Sequence, residues 1–100
     1  MYTQQELINM LTPIFKQFPI KRAALFGSYA RGDQTSESDV DIILDLDYAK
    51  NGVCNFYVFW DKLEDKINLK ADLITFDSLN TAPASFSKRI LEEVSYIYEV

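Results

Sequence analysis

A few residues in this chain have types and spacings suited to chemistry. Gly27-Ser28 is followed, after ten intervening residues, by Asp39-Val40-Asp41, and another aspartate, Asp72, lies inside the apolar stretch "KADLITF". Residues two apart in a strand point the same way, with α-carbons about 6 to 7 Å apart, so Asp39 and Asp41 can project together from one face. Carboxylates that close repel one another. A divalent cation offsets the repulsion, and a hard ion such as Mg²⁺ takes a few carboxylate oxygens completed by water and substrate phosphates. Asp72, reaching the same spot from a neighbouring strand, adds a third carboxylate and room for a second ion about 3.5 to 4 Å from the first. Such a site suits phosphoryl or nucleotidyl transfer: one metal lowers the pKa of an attacking hydroxyl and the other grips the leaving pyrophosphate. Gly27 and Ser28 meet the remaining need. Phosphate oxygens approach backbone N–H groups where no β-carbon intrudes, and a turn into a helix N-terminus aims several donors at one anion. The Gly-Ser turn is expected to hold the β and γ phosphates of a nucleotide.

These groups need elements to position them. Thr3 and Glu6 have capping-box spacing, and Leu7, Met10, Leu11, Ile14 and Phe15 recur at helical intervals, which predicts a first helix from about Gln4 to Lys16, stopped before Pro19. "IKRAALF", Ile20 to Phe26, reads as a buried strand running into the Gly27 turn, and "YARGDQTSES" as a loop with one helical turn after Ser28. From Asp39 the chain alternates. Val40, Ile42, Leu44 and Leu46 form one face of a strand, and Asp39, Asp41, Ile43 and Asp45 the other. Asn51-Gly52 marks a turn, then Phe56, Phe59, Trp60, Leu63 and Ile67 form the inner stripe of a second long helix. Lys70 to Phe76 reads as a third strand, with Asp72 on the side of Ile74 and Phe76. A last helix is expected from about Pro83, burying Phe86, Ile90, Val94 and Ile97. The expected architecture is α/β (α+β), a small mixed β-sheet packed by helices, in the order helix, strand, loop with short helix, strand, helix, strand, helix.

Composition narrows the function classes. A chain of 100 residues with 48% hydrophobic content forms one compact domain over 1–100. A cleft needing a second wall must borrow it from a partner subunit. Fifteen acidic against ten basic residues, a net charge of −5, oppose direct nucleic-acid binding. With no histidine and a single cysteine, Cys54, zinc sites of the Cys/His kind, histidine-based triads and intrachain disulfides are excluded, so any metal sits on oxygen. The opening "MYTQQELINML" has no signal-peptide pattern and no apolar run approaches the roughly 20 residues that span a bilayer, which predicts no membrane association and a cytoplasmic protein.

Gly27-Ser28, ten residues, then Asp39-Val40-Asp41 resembles the G-S-x10-D-x-D signature of the DNA polymerase β-like nucleotidyltransferase superfamily. "VDIILDLD" and "KADLITF" resemble its second and third motif strands. The "GSYARGD" wording and the tail "FSKRILEEVSYIYEV" are similar to the minimal nucleotidyltransferase (MNT) family of prokaryotes, over nearly the whole chain. The resemblance implies that Gly27 and Ser28 contact the triphosphate, that Asp39 and Asp41 bind metal, and that Asp72 binds metal and serves as general base. It further implies an antitoxin with a HEPN-domain toxin ribonuclease as partner in a hetero-oligomer. Neutralisation would proceed by AMP transfer from ATP, with Mg²⁺, onto a hydroxyl such as tyrosine, or by complex formation alone. Transfer to a small molecule such as an aminoglycoside would need an acceptor pocket that one such domain scarcely provides without dimerising.

The other polar residues read more plainly. Asp45 and Asp47 are expected to be solvated, and Asp33 and Glu37 to be loop residues, Glu37 with a second reading as a metal neighbour. Arg31 either pairs with a nearby carboxylate or touches phosphate. Lys88 and Arg89 are assigned to the solvent side of the last helix, with a basic patch facing ATP as the alternative, Trp60 and its neighbouring phenylalanines to the core, and Cys54 to an unreactive position.

Overall fold

The protein's structure, a computed structural model, describes residues 1–47 and 56–100; the expected turn at Asn51-Gly52 and Cys54 lie outside the described residues. Helix α1, Gln4–Phe15, begins with the capping box, Thr3 accepting from the Glu6 N–H at 3.1 Å while the Glu6 carboxylate accepts from the Thr3 N–H at 3.0 Å. It buries Leu7, Leu11, Ile14 and Phe15, and carries Pro13 in its last turn, where the missing N–H removes one bond of the helical ladder, the one to the Asn9 carbonyl. Strand β1, Ile20–Phe26, leads into the single turn α2, Ser28–Arg31, and then into β2, Val40–Leu46. Helix α3, Phe56–Ile67, precedes β3, Ala71–Thr75. A 3-10 turn at Asp77–Asn80, helix α4, Ala84–Glu93, and strand β4, Ser95–Glu99, complete the chain.

The four strands form one sheet in the order β3-β2-β1-β4; β2 and β3 run parallel, and β1 is antiparallel to both β2 and β4. The alternation of β2 has the expected effect. Val40, Ile42 and Leu44 are buried with Leu7, Leu11, Phe15, Phe59 and Leu63 in the main core beneath α1 and α3. The opposite face carries the carboxylates and a second, smaller core, in which Ile43 packs with Ala24, Leu79 and Ile90 under α4.

The last element departs from expectation. The helix ends at Glu93, Val94 is extended at φ −62°, ψ 141°, and "SYIYE" forms β4 rather than continuing the helix. Ile90 and Ile97 share a helical spacing by coincidence, and they are buried on opposite faces of the sheet. Alternating tyrosine and isoleucine favour a pleated strand, and β1 supplies the partner edge, with Ala23 opposite Tyr98 and Ala24 opposite Tyr96. Phe86, expected to be buried, is 38% exposed. Among the described residues no helix is long and apolar enough to cross a membrane.

Candidate active site

Three strands bring Asp41, Asp72 and the turn at Gly27 to one row, with Asp39 just ahead of β2. Phe26, the last residue of β1, pairs with Asp41 of β2, and Asp41 pairs with Asp72 of β3. Paired residues on neighbouring strands are about 5 Å apart and point the same way, so Asp41 stands between Asp72 and the turn that follows Phe26. That turn is tightly specified. Gly27 has φ 71° and ψ −149°, a conformation open essentially to glycine alone. A β-carbon built at Gly27 would lie 3.3 Å from Asp41 Cγ and nearer still to its Oδ2. The Gly27 carbonyl accepts the N–H groups of Ala30 and Arg31, both at 3.1 Å, which leaves the Ser28 and Tyr29 amides at the head of the turn. Tyr29 is buried, and Gln4 Nε2 donates to its carbonyl at 3.0 Å, so α2 is held from the core side and from α1.

The placement of Asp72 depends on α3. The Glu64 carboxylate accepts from the Ala71 N–H at 2.7 Å, and Trp60 Nε1 donates to the Ala71 carbonyl at 2.8 Å. Trp60 is therefore more than a core residue: with Glu64 it clamps the first residue of β3, next to Asp72. Replacing Glu64 with Ala removes a charge-assisted bond worth about 1.5–3 kcal/mol. The expected result is a lower melting midpoint, measured by circular dichroism, with Glu64→Gln losing less because its amide oxygen still accepts.

Burial of the Asp41 carboxyl and the nearby charges of Asp72, Asp39 and Glu93 push its pKa up to about 6. Asp72, which is exposed, also shares a side-chain hydrogen bond with Asp41, whereas half-buried Asp39 acts on it through charge. Among the described residues, no lysine or arginine forms an ion pair with Asp39, Asp41 or Asp72, and no three acidic side chains are gathered into a ready-made cage. The Asp41–Asp72 carboxylate pair, oxygen-only and without a cationic partner, fits a hard divalent cation that draws most of its ligands from water and substrate phosphates.

A cavity of about 360 Å³ opens beside Asp41. It is lined by Gly27, Ser28 and Arg31 on one side and by Phe86, Arg89 and Glu93 of α4 on the other. Arg89 thus faces the cavity rather than only solvent, with its guanidinium 5.9 Å from the Phe86 ring centroid, while Lys88 is exposed. Arg31 takes the first of its two expected roles, donating to Asp33 at 3.2 Å and to Glu93 at 3.1 Å. Asp45 is not simply solvated: it pairs with Arg22 at 3.0 Å, and that guanidinium lies over the Phe76 and Tyr96 rings. Asp47 is half-buried, and Glu37 is exposed on the loop. Glu93 carries no signal in the sequence, because nothing local distinguishes it from Glu92.

A mixed sheet that presents paired carboxylates to a glycine turn defines a nucleotidyl-transfer domain. The family model described as "Polymerase beta, Nucleotidyltransferase" matches residues 9–100, and the chain belongs to that family. It is 33% identical over 101 residues to the protein adenylyltransferase MntA of Thermococcus cleftensis, covering 97% of this chain and 98% of that one. Among solved structures, it is similar to a toxin-antitoxin with AMP-PNP, at TM-score 0.69 and 20% identity, over 93% of this chain and 73% of that one. It is also similar to a complex of tri-AMPylated Shewanella oneidensis HEPN toxin with MNT antitoxin, at TM-score 0.63 and 18% identity, over 98% and 74% of the two chains. At these identities the two structures establish the shared fold.

Proposed function

We propose that this protein is a Mg²⁺-dependent protein adenylyltransferase that moves AMP from ATP onto a tyrosine hydroxyl of a HEPN-domain toxin, and so acts as its antitoxin in the cytoplasm. The observation that carries the reading is the register that sets Asp41 between Asp72 and the Gly27 turn. The T. cleftensis relative and the AMPylated toxin complex supply the substrate class and the kind of partner. Asp39, Asp41 and Asp72 would hold the metal, with two ions when ATP is present, and bound Mg²⁺ would supply charge neutralisation at the triphosphate.

The chain's own groups have distinct tasks. The Ser28 and Tyr29 amides and the Ser28 hydroxyl donate to the β and γ phosphates and fix the α-phosphorus over the carboxylate row. The acceptor oxygen attacks the α-phosphorus as the bond to the bridging oxygen breaks, and pyrophosphate departs. Asp72, the exposed member of the row, accepts the hydroxyl proton. The partner provides both the acceptor and the wall that excludes water.

The test mixes purified protein with a co-encoded HEPN protein, Mg²⁺ and ATP labelled at the α-phosphate. Label on a partner tyrosine, located by mass spectrometry and absent with EDTA, is expected. Complex formation with no label on the partner under any condition overturns the catalytic reading.

A further inference from the structure

Glu93 closes α4 and has no part in the chemistry above, yet it touches two elements of the phosphate-binding turn. Its Oε1 accepts from the Gly27 N–H at 2.8 Å and its Oε2 from Arg31 Nη1 at 3.1 Å, with the side chain only 16% exposed. The sheet explains how it gets there. Leu25 pairs with Ser95 where β1 meets β4, and two steps further along the same antiparallel register Gly27 lies opposite Glu93. At that point α4 has replaced the strand, so a side chain rather than a backbone carbonyl completes the ladder.

We infer that Glu93 is a positioning residue for nucleotidyl transfer: it pins the Gly27 peptide and the Arg31 guanidinium so that the neighbouring amides meet the triphosphate. The inference rests on the proposed function for the identity of that ligand. A carboxylate beside a phosphate site could instead compete with the phosphate for donors, and the hydrogen bonds decide between the two roles. Glu93 takes the Gly27 N–H, which precedes the turn, while the two amides at the head of the turn, Ser28 and Tyr29, are not engaged by it. Arg31 binds Glu93 and Asp33 through Nη1 and Nε, and a guanidinium carries further donors in the same fork. Without Glu93, the Gly27 N–H loses its acceptor, and the peptide that sets φ 71° is free to rotate.

The experiment compares wild type, Glu93→Ala and Glu93→Gln. Melting by circular dichroism checks that each variant is folded, and transfer kinetics are measured at varied MgATP, with binding of Mg²⁺-AMP-PNP measured by calorimetry. Loss of a hydrogen bond to a charged group predicts that Glu93→Ala raises KM for MgATP and weakens analogue binding by about ten- to a hundredfold. Glu93→Gln keeps an acceptor for Gly27 and is expected to recover most of that loss. If Glu93→Ala leaves KM and binding unchanged below its melting temperature, or improves them, the inference is overturned while wild-type transfer upholds the proposed function. If wild type labels no acceptor yet binds the analogue with this dependence on Glu93, the transfer reading fails and the positioning role stands. Should Glu93→Ala not fold, the Gly27 amide resonance and MgATP binding of Glu93→Gln serve instead. Wild-type-like values support the pinning, and a rotated Gly27 peptide with binding intact overturns it.

Discussion

Asp41→Asn is expected to lower AMP transfer by about 10³-fold, the order lost when charge stabilisation is removed from a phosphoryl-transfer site, and at the same time to stabilise the protein in EDTA. The two effects have one cause. The folded protein raises the Asp41 carboxyl from 3.8 to about 6, first by burying it and then through Asp72, Asp39 and Glu93. An acid whose pKa is raised by folding disfavours the fold when ionised. Wild-type stability in EDTA should therefore increase as pH falls through about 6 and level off below the unfolded value of 3.8. At 1.36 kcal/mol per pH unit the shift corresponds to about 3 kcal/mol, which solvent screening of a half-exposed group reduces to about 1–2 kcal/mol. Denaturant unfolding at pH 8 in EDTA should show the Asp41→Asn variant ahead by that amount, with the advantage gone near pH 4. Mg²⁺ with ATP should reverse the order, stabilising wild type alone. A variant that is less stable than wild type at pH 8 in EDTA would contradict the electrostatic account. A variant that still neutralises the proposed HEPN partner without transferring AMP would show that occlusion of that partner is sufficient.

The carboxylate row and the glycine turn were legible in the sequence because both rest on local rules. Period-two alternation placed Asp41 opposite Val40 and Ile42, and a ten-residue gap tied Gly27-Ser28 to that strand. Strand β4 was not legible, since Ile90, Val94 and Ile97 satisfy helical spacing as well as any true stripe. What separates them is the free edge of β1, a tertiary fact. The contacts that hold the site in place were hidden for the same reason. Glu64 and Trp60 reach Ala71 from 7 and 11 residues away, and Glu93 reaches Gly27 across 66. Arg22 and Asp45 show how a residue expected in solvent finds a partner. Each reads as an ordinary strand charge until β1 and β2 pair them in register beneath two aromatic rings.

Gly27→Ala should be far more damaging than its single added methyl group suggests, and a double-mutant cycle can separate its two costs. One cost is backbone strain: φ 71° with ψ −149° is a glycine conformation, and holding an L-residue there costs about 1–3 kcal/mol. The other is steric, since the new methyl group would fall on the Asp41 carboxylate and displace a side chain proposed to hold the metal. Together these predict a stability loss of about 2–4 kcal/mol, read from denaturant midpoints in EDTA, and a fall in transfer of at least about 10²-fold because nucleotide and carboxylates no longer fit together. Ser28→Ala, which removes one hydroxyl donor and leaves the backbone unchanged, should cost far less of both. The strain persists whatever stands at position 41, but the clash does not. In an Asp41→Ala background only the β-carbon remains, 3.5 Å from the position a β-carbon would take at Gly27, an ordinary contact. The stability cost of Gly27→Ala should accordingly shrink by about 1 kcal/mol or more in that background, a coupling typical of touching residues. Equal costs in the two backgrounds would mean that the turn does not press against Asp41, and the close approach on which the site depends would be absent in solution.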